Sequence, residues 1–294
     1  MPEYLNVIST KRSGHHAFIA WYRHHAPDQW MHLNNRSLDR LIRRDLVKVD
    51  APRILINFEG VTPEGIERVR AREDGTAKSR TDVIFLRHPL NMLASFVHRV
   101  EKKFAKGLTG LAVHTILRQV HAQNYWSSLR TDLPRYSYDP WVSDESYRAK
   151  MADALGLTGN SPLKDISEYG GGSSFTGVDD TVDPLDRLNR WSIKSDSAIF
   201  KSIATHPAIM SGLLDALEGR HPADSLGYRF DDLRAAEWLK NAAKERVADP
   251  AVDDIISNTP PGGRAMSVME RRSGWPRKLG QMHAILEDRL RASR

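Results

Sequence analysis

The chain has 294 residues, 40% of them hydrophobic, a net charge of +6 and no cysteine. That length supports one large domain, or a domain with an appendage, and the lack of cysteine excludes disulfides, a thiolate nucleophile and thiolate metal sites. No apolar run reaches membrane-spanning length and the N-terminus lacks a signal-peptide pattern, so a soluble, cytoplasmic protein is expected.

A sequence pI near 9.5 favours an anionic ligand. The clusters from Arg36 to Lys48, Arg99 to Lys106 and Arg271 to Lys278 read by themselves as solvated helix faces. Tyr4 to Ser9 is a short apolar run that exits into Thr10, Lys11, Arg12, Ser13 and Gly14. A helix follows, because Ala17, Phe18, Trp21, Tyr22 and His25 recur at three-and-four spacing until Pro27. Arg53 to Phe58 and Asp82 to Leu86 are the next strands, with a helical stretch from Pro63 to Arg72 between them. Both are continuous apolar runs, which suits a parallel sheet covered on both faces.

Beyond Pro89 the spacing of Leu93, Val97, Val100 and Phe104 predicts a helix, and a second spans Leu111 to Leu129. Tyr136 to Tyr138 reads as a short fourth strand. Ser143 is the expected N-cap of a helix with Asp144 and Glu145 in its first turn, Tyr147, Met151 and Leu155 facing inward, and Gly156 near its end. Gly170 to Gly177 reads as a flexible loop. From about Ile193 onward the chain reads as helices broken by proline and glycine turns. The expected organisation is therefore an α/β domain over residues 1–195, with a parallel central sheet flanked by helices, and a mostly helical C-terminal extension over 196–294 packed on it.

A strand that runs into a Ser-Gly turn at a helix start offers unpaired N–H groups and the positive end of the helix dipole to an anion. Lys11 and Arg12 add charge there. A second strand delivers Arg87 at its end, Pro89 opens a helix, and Ser95 lies in that helix's early turns. The guanidinium fork and the hydroxyl are both suited to a second phosphate. Taken together, the two segments resemble the PAPS-dependent sulfotransferases. In that family a loop of the type P-[KR]-S-G-[ST]-[ST] contacts the 5′-phosphosulfate, and Arg-x-Pro with a later Ser holds the 3′-phosphate. Lys11-Arg12-Ser13-Gly14-His15-His16 matches the first motif in part. Arg87, Pro89 and Ser95 reproduce the second.

The resemblance covers roughly residues 4 to 195 and implies a P-loop-like sulfotransferase fold, with PAPS as donor, PAP as product and no metal. It places Lys11, Arg12, Ser13, Gly14, His15 and His16 at the phosphosulfate and Arg87 with Ser95 at the 3′-phosphate. The stretch from Tyr169 to Gly177 with Arg187, Arg190 and Trp191 is similar in texture to the family's late nucleotide-covering loop. Arg12, with Lys11 beside it, stands where the family's leaving-group cation does, and His15 and His16 replace the usual hydroxyl residues.

Sulfuryl transfer needs a base at the attacking atom. The family places one just past the strand before the 3′-phosphate strand, which here is Glu59; the bland alternative is a surface carboxylate at a turn. His15 and His16 are the fallback. The twelve histidines form no H-E-x-x-H or similar set, so no metal is inferred. A small-molecule or glycan acceptor is expected. A non-catalytic nucleotide-binding protein on the same fold is the alternative, and a nucleic-acid partner is disfavoured because recognised motifs for one are absent.

Overall fold

In this computed structural model the residues described are 1–26, 28–33, 51–61, 63–75, 77–103, 110–129, 131–157, 163, 188–246 and 253–254. They group into two compact units. The first is drawn from Met1–His88, Leu129–Leu185 and Pro222–Arg229, and the second from Pro89–Ser128, Asp186–His221 and Phe230–Arg294.

The first unit is built on five parallel strands, β1 (Glu3–Ser9), β2 (Met31–Leu33), β3 (Arg53–Glu59), β4 (Ser79–Leu86) and β5 (Arg135–Ser137). Their spatial order is β2-β3-β1-β4-β5. The apolar runs account for the centre of the sheet. Val7 and Ile8, Ile54 to Ile56, and Val83 to Phe85 are all buried, as strands covered on both faces require. This is the expected α/β class.

Two strand ends depart from the sequence reading. β4 begins at Ser79 rather than Asp82, because its polar first residues pair only with β1, while β5 joins at Ile84 to Leu86. With one neighbour and partial exposure, Ser79 to Thr81 need not be apolar. β2 pairs only with β3, over three residues, and so leaves too short a run to be read from the sequence.

Helices α1 (His15–His25) and α2 (Pro63–Glu73) follow β1 and β3. Phe18 of α1 stacks on Phe85 of β4 with ring centroids 4.7 Å apart. Trp141 meets both rings edge-on. Trp141 lies in α5 (Tyr138–Ser143), which is followed directly by α6 (Glu145–Ala154). Ser143 is thus the last residue of a helix, and the cap of α6 is Asp144, whose side chain accepts from the N–H groups of Ser146 and Tyr147. The Ser143 hydroxyl is already committed, donating to the Asp139 carbonyl at 3.0 Å.

Gly156 ends α6 at φ +67, with Gly156 N–H donating to Asp153 and Leu157 N–H to Ala152. This paired closure is the Schellman arrangement, which favours glycine at its left-handed position. Tyr147 and Met151 face inward as expected, and buried Leu157 rather than Leu155 completes that side.

The second unit contains α3 (Pro89–Lys103), α4 (Gly110–Ser128), α7 (Arg190–Ile193), α8 (Ala198–Ala204), α9 (Pro207–Leu217) and α10 (Leu233–Lys244). Its core joins Leu93 and Val97 of α3, Ile116 and Val120 of α4, Phe200 of α8, Leu213 of α9 and Leu239 of α10, and Trp238 stacks on Phe200 at 5.4 Å. The side chains of Val100 and Phe104, expected on the same face as Leu93, lie outside the described residues, as do the Gly170 to Gly177 loop and Arg187. The chain on both sides of residue 195 belongs to this unit.

One buried carboxyl of the first unit is costly. Glu73 of α2 is fully buried and shares the Asn6 amide with Asp82, with Nδ2 donating at 3.1 Å to Glu73 and 2.8 Å to Asp82. Burial pushes the Glu73 carboxyl up, the Asn6 hydrogen bond opposes this, and the Asp82 charge adds to the rise, leaving it at about 7 against an ordinary 4.5. A rise of that size corresponds to about 3 kcal/mol. Because the folded protein holds this proton more tightly than the unfolded chain, the stabilisation is present below the unfolded value and is lost as pH rises through about 7. Glu73→Gln is therefore expected to unfold at a higher temperature than the wild type at pH 8 and at nearly the same temperature at pH 4.5, measured by calorimetry. Equal differences at both pH values would refute the assignment.

Candidate functional site

β1 lies between β3 and β4, and the chain leaves β1 toward the β2 side of the sheet while β4 leads toward β5. The carboxyl ends of β1 and β4 therefore flank the point where strand order reverses, which is where open α/β sheets bind ligands. The Thr10 to Gly14 loop and Arg87 both sit there.

The loop geometry depends on Gly14. Its φ of +83 is left-handed, and a Cβ at this position would lie 2.2 Å from two Tyr138 ring atoms. Arg12 is also left-handed at φ 67, an uncommon conformation for a side-chain-bearing residue. α1 starts immediately afterwards without a side-chain cap and with no acidic residue in its first turn. An anion at this helix start meets no competing carboxylate from the first turn.

Arg87 connects the loop to the neighbouring strand ends. Its Nη1 donates to the Arg12 carbonyl at 3.0 Å, and its guanidinium lies over the Tyr138 ring at 4.7 Å. The next residue is fixed as well, with His88 N–H donating to Asp139 Oδ2 at 2.7 Å. The loop after β1 and the end of β4, expected to meet on one ligand, are in direct contact.

A histidine–carboxylate cluster occupies the β3 side. His15 Nε2 is 3.0 Å from Glu59 Oε1, and His16 Nε2 is 3.5 Å from the same oxygen. His15 Nδ1 is 3.1 Å from the hydroxyl of buried Ser13. Asn57 Nδ2 lies 3.4 Å from His15 Nε2, and Asn57 Oδ1 is 2.8 Å from His32 Nε2. Glu59 is thus no solvated turn residue, since only 6% of its side chain is exposed. Burial alone would raise its carboxyl. Hydrogen bonds from His15 and His16, with the charges of His15 and Lys11, outweigh that and hold it below the usual carboxylate range. Burial lowers His15, against the pull of Glu59, and lowers His32 to about 4.

In the second unit, Ser95 and Arg190, two residues separately assigned to the nucleotide from the sequence, are partners. Arg190 Nη1 donates to Ser95 Oγ at 3.0 Å, and both residues are buried. Asn91 fixes the short helix α7 that carries Arg190: its Nδ2 donates to the Leu188 carbonyl at 2.5 Å and its Oδ1 accepts from Trp191 N–H at 3.1 Å.

Sequence reasoning missed Asn57, His32 and Asp139. Asn57 did leave a signal, as the polar residue within the apolar run RILINF. His32 sits on a strand too short to register. Asp139 precedes a proline, and nothing in its local sequence marks its contact with His88.

No family model matches the sequence and no curated protein matches it. Among solved structures, the sulfotransferase domain from the curacin biosynthetic pathway is similar at a TM-score of 0.38 and 15% identity, over 85% of this chain and 99% of that chain. A likeness this distant leaves the functional reading to the chemistry of the site.

Gly14→Ala tests the loop. The left-handed backbone costs about 1–2 kcal/mol, and overlap with Tyr138 adds to it. The variant is expected to lose at least ~1 kcal/mol in urea unfolding. Wild-type stability would show that Tyr138 does not bound the loop.

Proposed function

We infer that the protein is a sulfotransferase that moves a sulfuryl group from PAPS to a hydroxyl or amine of an acceptor, with a carbohydrate as the favoured acceptor class. The observation that supports this reading best is the Arg87 contact with the Arg12 carbonyl, because it joins two motifs 75 residues apart at the switch point of the sheet. Residues fit for an anionic donor converge there: the uncapped start of α1, the cationic Lys11 and Arg12, and a glycine whose side-chain position is closed by Tyr138.

PAPS supplies, when bound, an activated sulfuryl group whose transfer leaves negative charge on the nucleotide's 5′-phosphate. Under this reading the N–H groups at the start of α1, with Ser13, Gly14 and His15, cradle the phosphosulfate. Arg12, assisted by Lys11, stabilises the charge that grows as the group departs. Loss of one such positioned donor typically costs about 3–4 kcal/mol of barrier. Arg87 is assigned to the 3′-phosphate.

The base is assigned to the His16–Glu59 pair. Glu59 Oε1 accepts from both imidazoles and only 6% of its side chain is exposed, whereas the His16 side chain is 26% exposed. His16 takes the acceptor's proton and Glu59 stabilises the imidazolium that results, as a carboxylate does in a hydrogen-bonded acid–base pair.

Calorimetry with PAP tests the donor assignment. The wild type is expected to bind, and Arg87→Ala to bind at least ~10-fold more weakly if its charge-assisted contact is worth about 1.5–3 kcal/mol. Absence of PAP binding by folded wild-type protein would overturn the reading. With labelled PAPS and a panel of acceptors, His16→Gln is expected to lower turnover about 10²–10⁴-fold while leaving PAP affinity unchanged. PAP binding without transfer to any acceptor would instead identify a nucleotide-binding protein on this fold.

A further inference from the structure

We propose that His15, His16 and Glu59 form a binding site for one divalent transition-metal ion of the zinc class, at the carboxyl end of β3. Their three ligand-capable atoms, two imidazole Nε2 and one carboxylate oxygen, lie within 4.8 Å of one another. In a tetrahedral zinc site with arms of about 2.0–2.1 Å, neighbouring donor atoms stand about 3.3–3.4 Å apart. Two edges of this triangle measure 3.0 and 3.5 Å, so they already have metal-bridged spacing.

The surroundings of the ligands support the same reading. His15 also hydrogen-bonds the Thr10 backbone carbonyl, and its Nδ1 faces the Ser13 hydroxyl. In the metal-free site the His15 proton on Nε2 bridges to Glu59 Oε1 at 3.0 Å. An ion would take that proton's place, with the ring proton then held on Nδ1 by the Thr10 and Ser13 oxygens, the arrangement in which metal-bound histidines are usually fixed. A proton can bridge only one pair, whereas a metal can bridge all three atoms.

The ligands stand on rigid elements, the first turn of α1 and the last residue of β3. His15 is buried and the Glu59 side chain is only 6% exposed, while the partly exposed His16 provides a route for an ion. Two imidazoles and one carboxylate select zinc, iron, nickel or copper rather than magnesium or calcium, which prefer all-oxygen sites. Three protein ligands leave a fourth position for water or a hydroxyl-bearing molecule. The charge of Lys11 acts on Glu59 and opposes an ion, so moderate rather than extreme affinity is expected.

A consequence rests on the transferase reading. The metal would occupy the Nε2 of His16 and the carboxylate of Glu59, which the proposed base requires, so loading the ion and proton removal by His16 exclude each other. Zinc would then inhibit transfer.

The test uses the full chain after chelator treatment, without nucleotide, titrated with Zn²⁺ by calorimetry and with Co²⁺ by visible absorption. One ion per chain and intense Co²⁺ bands of a low-coordinate nitrogen–oxygen site are expected. Glu59→Gln and His16→Gln should each weaken binding by at least ~100-fold, and Ser13→Ala by about 10–100-fold through the His15 ring it orients. Circular dichroism checks the fold; if Glu59→Gln does not fold, the partly exposed His16 decides the matter. Absence of a one-to-one site in the wild type, or unchanged binding in folded His16→Gln, overturns the proposal. PAP binding measured on the metal-free protein reports on the donor reading separately: its failure leaves the metal site standing, and failure of zinc binding leaves the donor standing.

Discussion

The site depends on how closely three chain reversals approach one another at the carboxyl edge of the sheet. The loop after β1 can pass Tyr138 only because residue 14 has no side chain, and it is held there by the hydrogen bond from Arg87 to the Arg12 carbonyl. Tyr138, the first residue of α5, is held in turn between the Arg87 guanidinium and the Phe85 and Trp141 rings. Asp139 then ties the end of β4 to the same segment through His88. Each reversal constrains the other two, so the loop conformation follows from tertiary contacts and not from local propensity alone.

The same contacts offset part of the cost of burying an arginine. Removing a guanidinium from water is costly unless its donors are matched and its faces covered. Arg87 is only 3% exposed, yet its fork reaches a main-chain carbonyl and its plane rests on an aromatic ring. Arginine's planar fork can meet both demands, whereas a lysine's compact ammonium would lose the stacking and the directed donor.

Much of this was legible in the sequence, and the exceptions have physical causes. Continuous apolar runs placed β1, β3 and the centre of β4, because a strand buried on both faces must be apolar throughout. The loop after β1 and the position of Arg87 were legible because each sits where an apolar run stops. The ends of strands were not, since Ser79 to Thr81 have one paired neighbour and therefore no apolar requirement. Ser143 and Asp144 are both good caps, and only the hydroxyl's commitment to the Asp139 carbonyl decides between them. Glu59 was found from its place after a strand, but its histidine partners were not. His15 and His16 are adjacent in sequence, and the contact that gives them meaning crosses 43 or more residues to β3. No local spacing rule reports such a cluster.

That cluster divides the strand edge into two electrostatic environments. On the β4 side, Arg87 and the start of α1 favour negative charge. On the β3 side, Glu59 is held as a carboxylate by the imidazoles and by Lys11, and an anion placed against it would meet repulsion. An anionic group is therefore directed toward the arginine side, while a neutral or cationic partner is accepted beside the histidines. The transferase proposed above would use this separation, because its charged donor and the group that gives up a proton must be in contact without competing for the same residues. Ser13 and His15 stand at the division, one within the anion loop and the other on Glu59, and the 3.1 Å contact between their side chains couples the two environments.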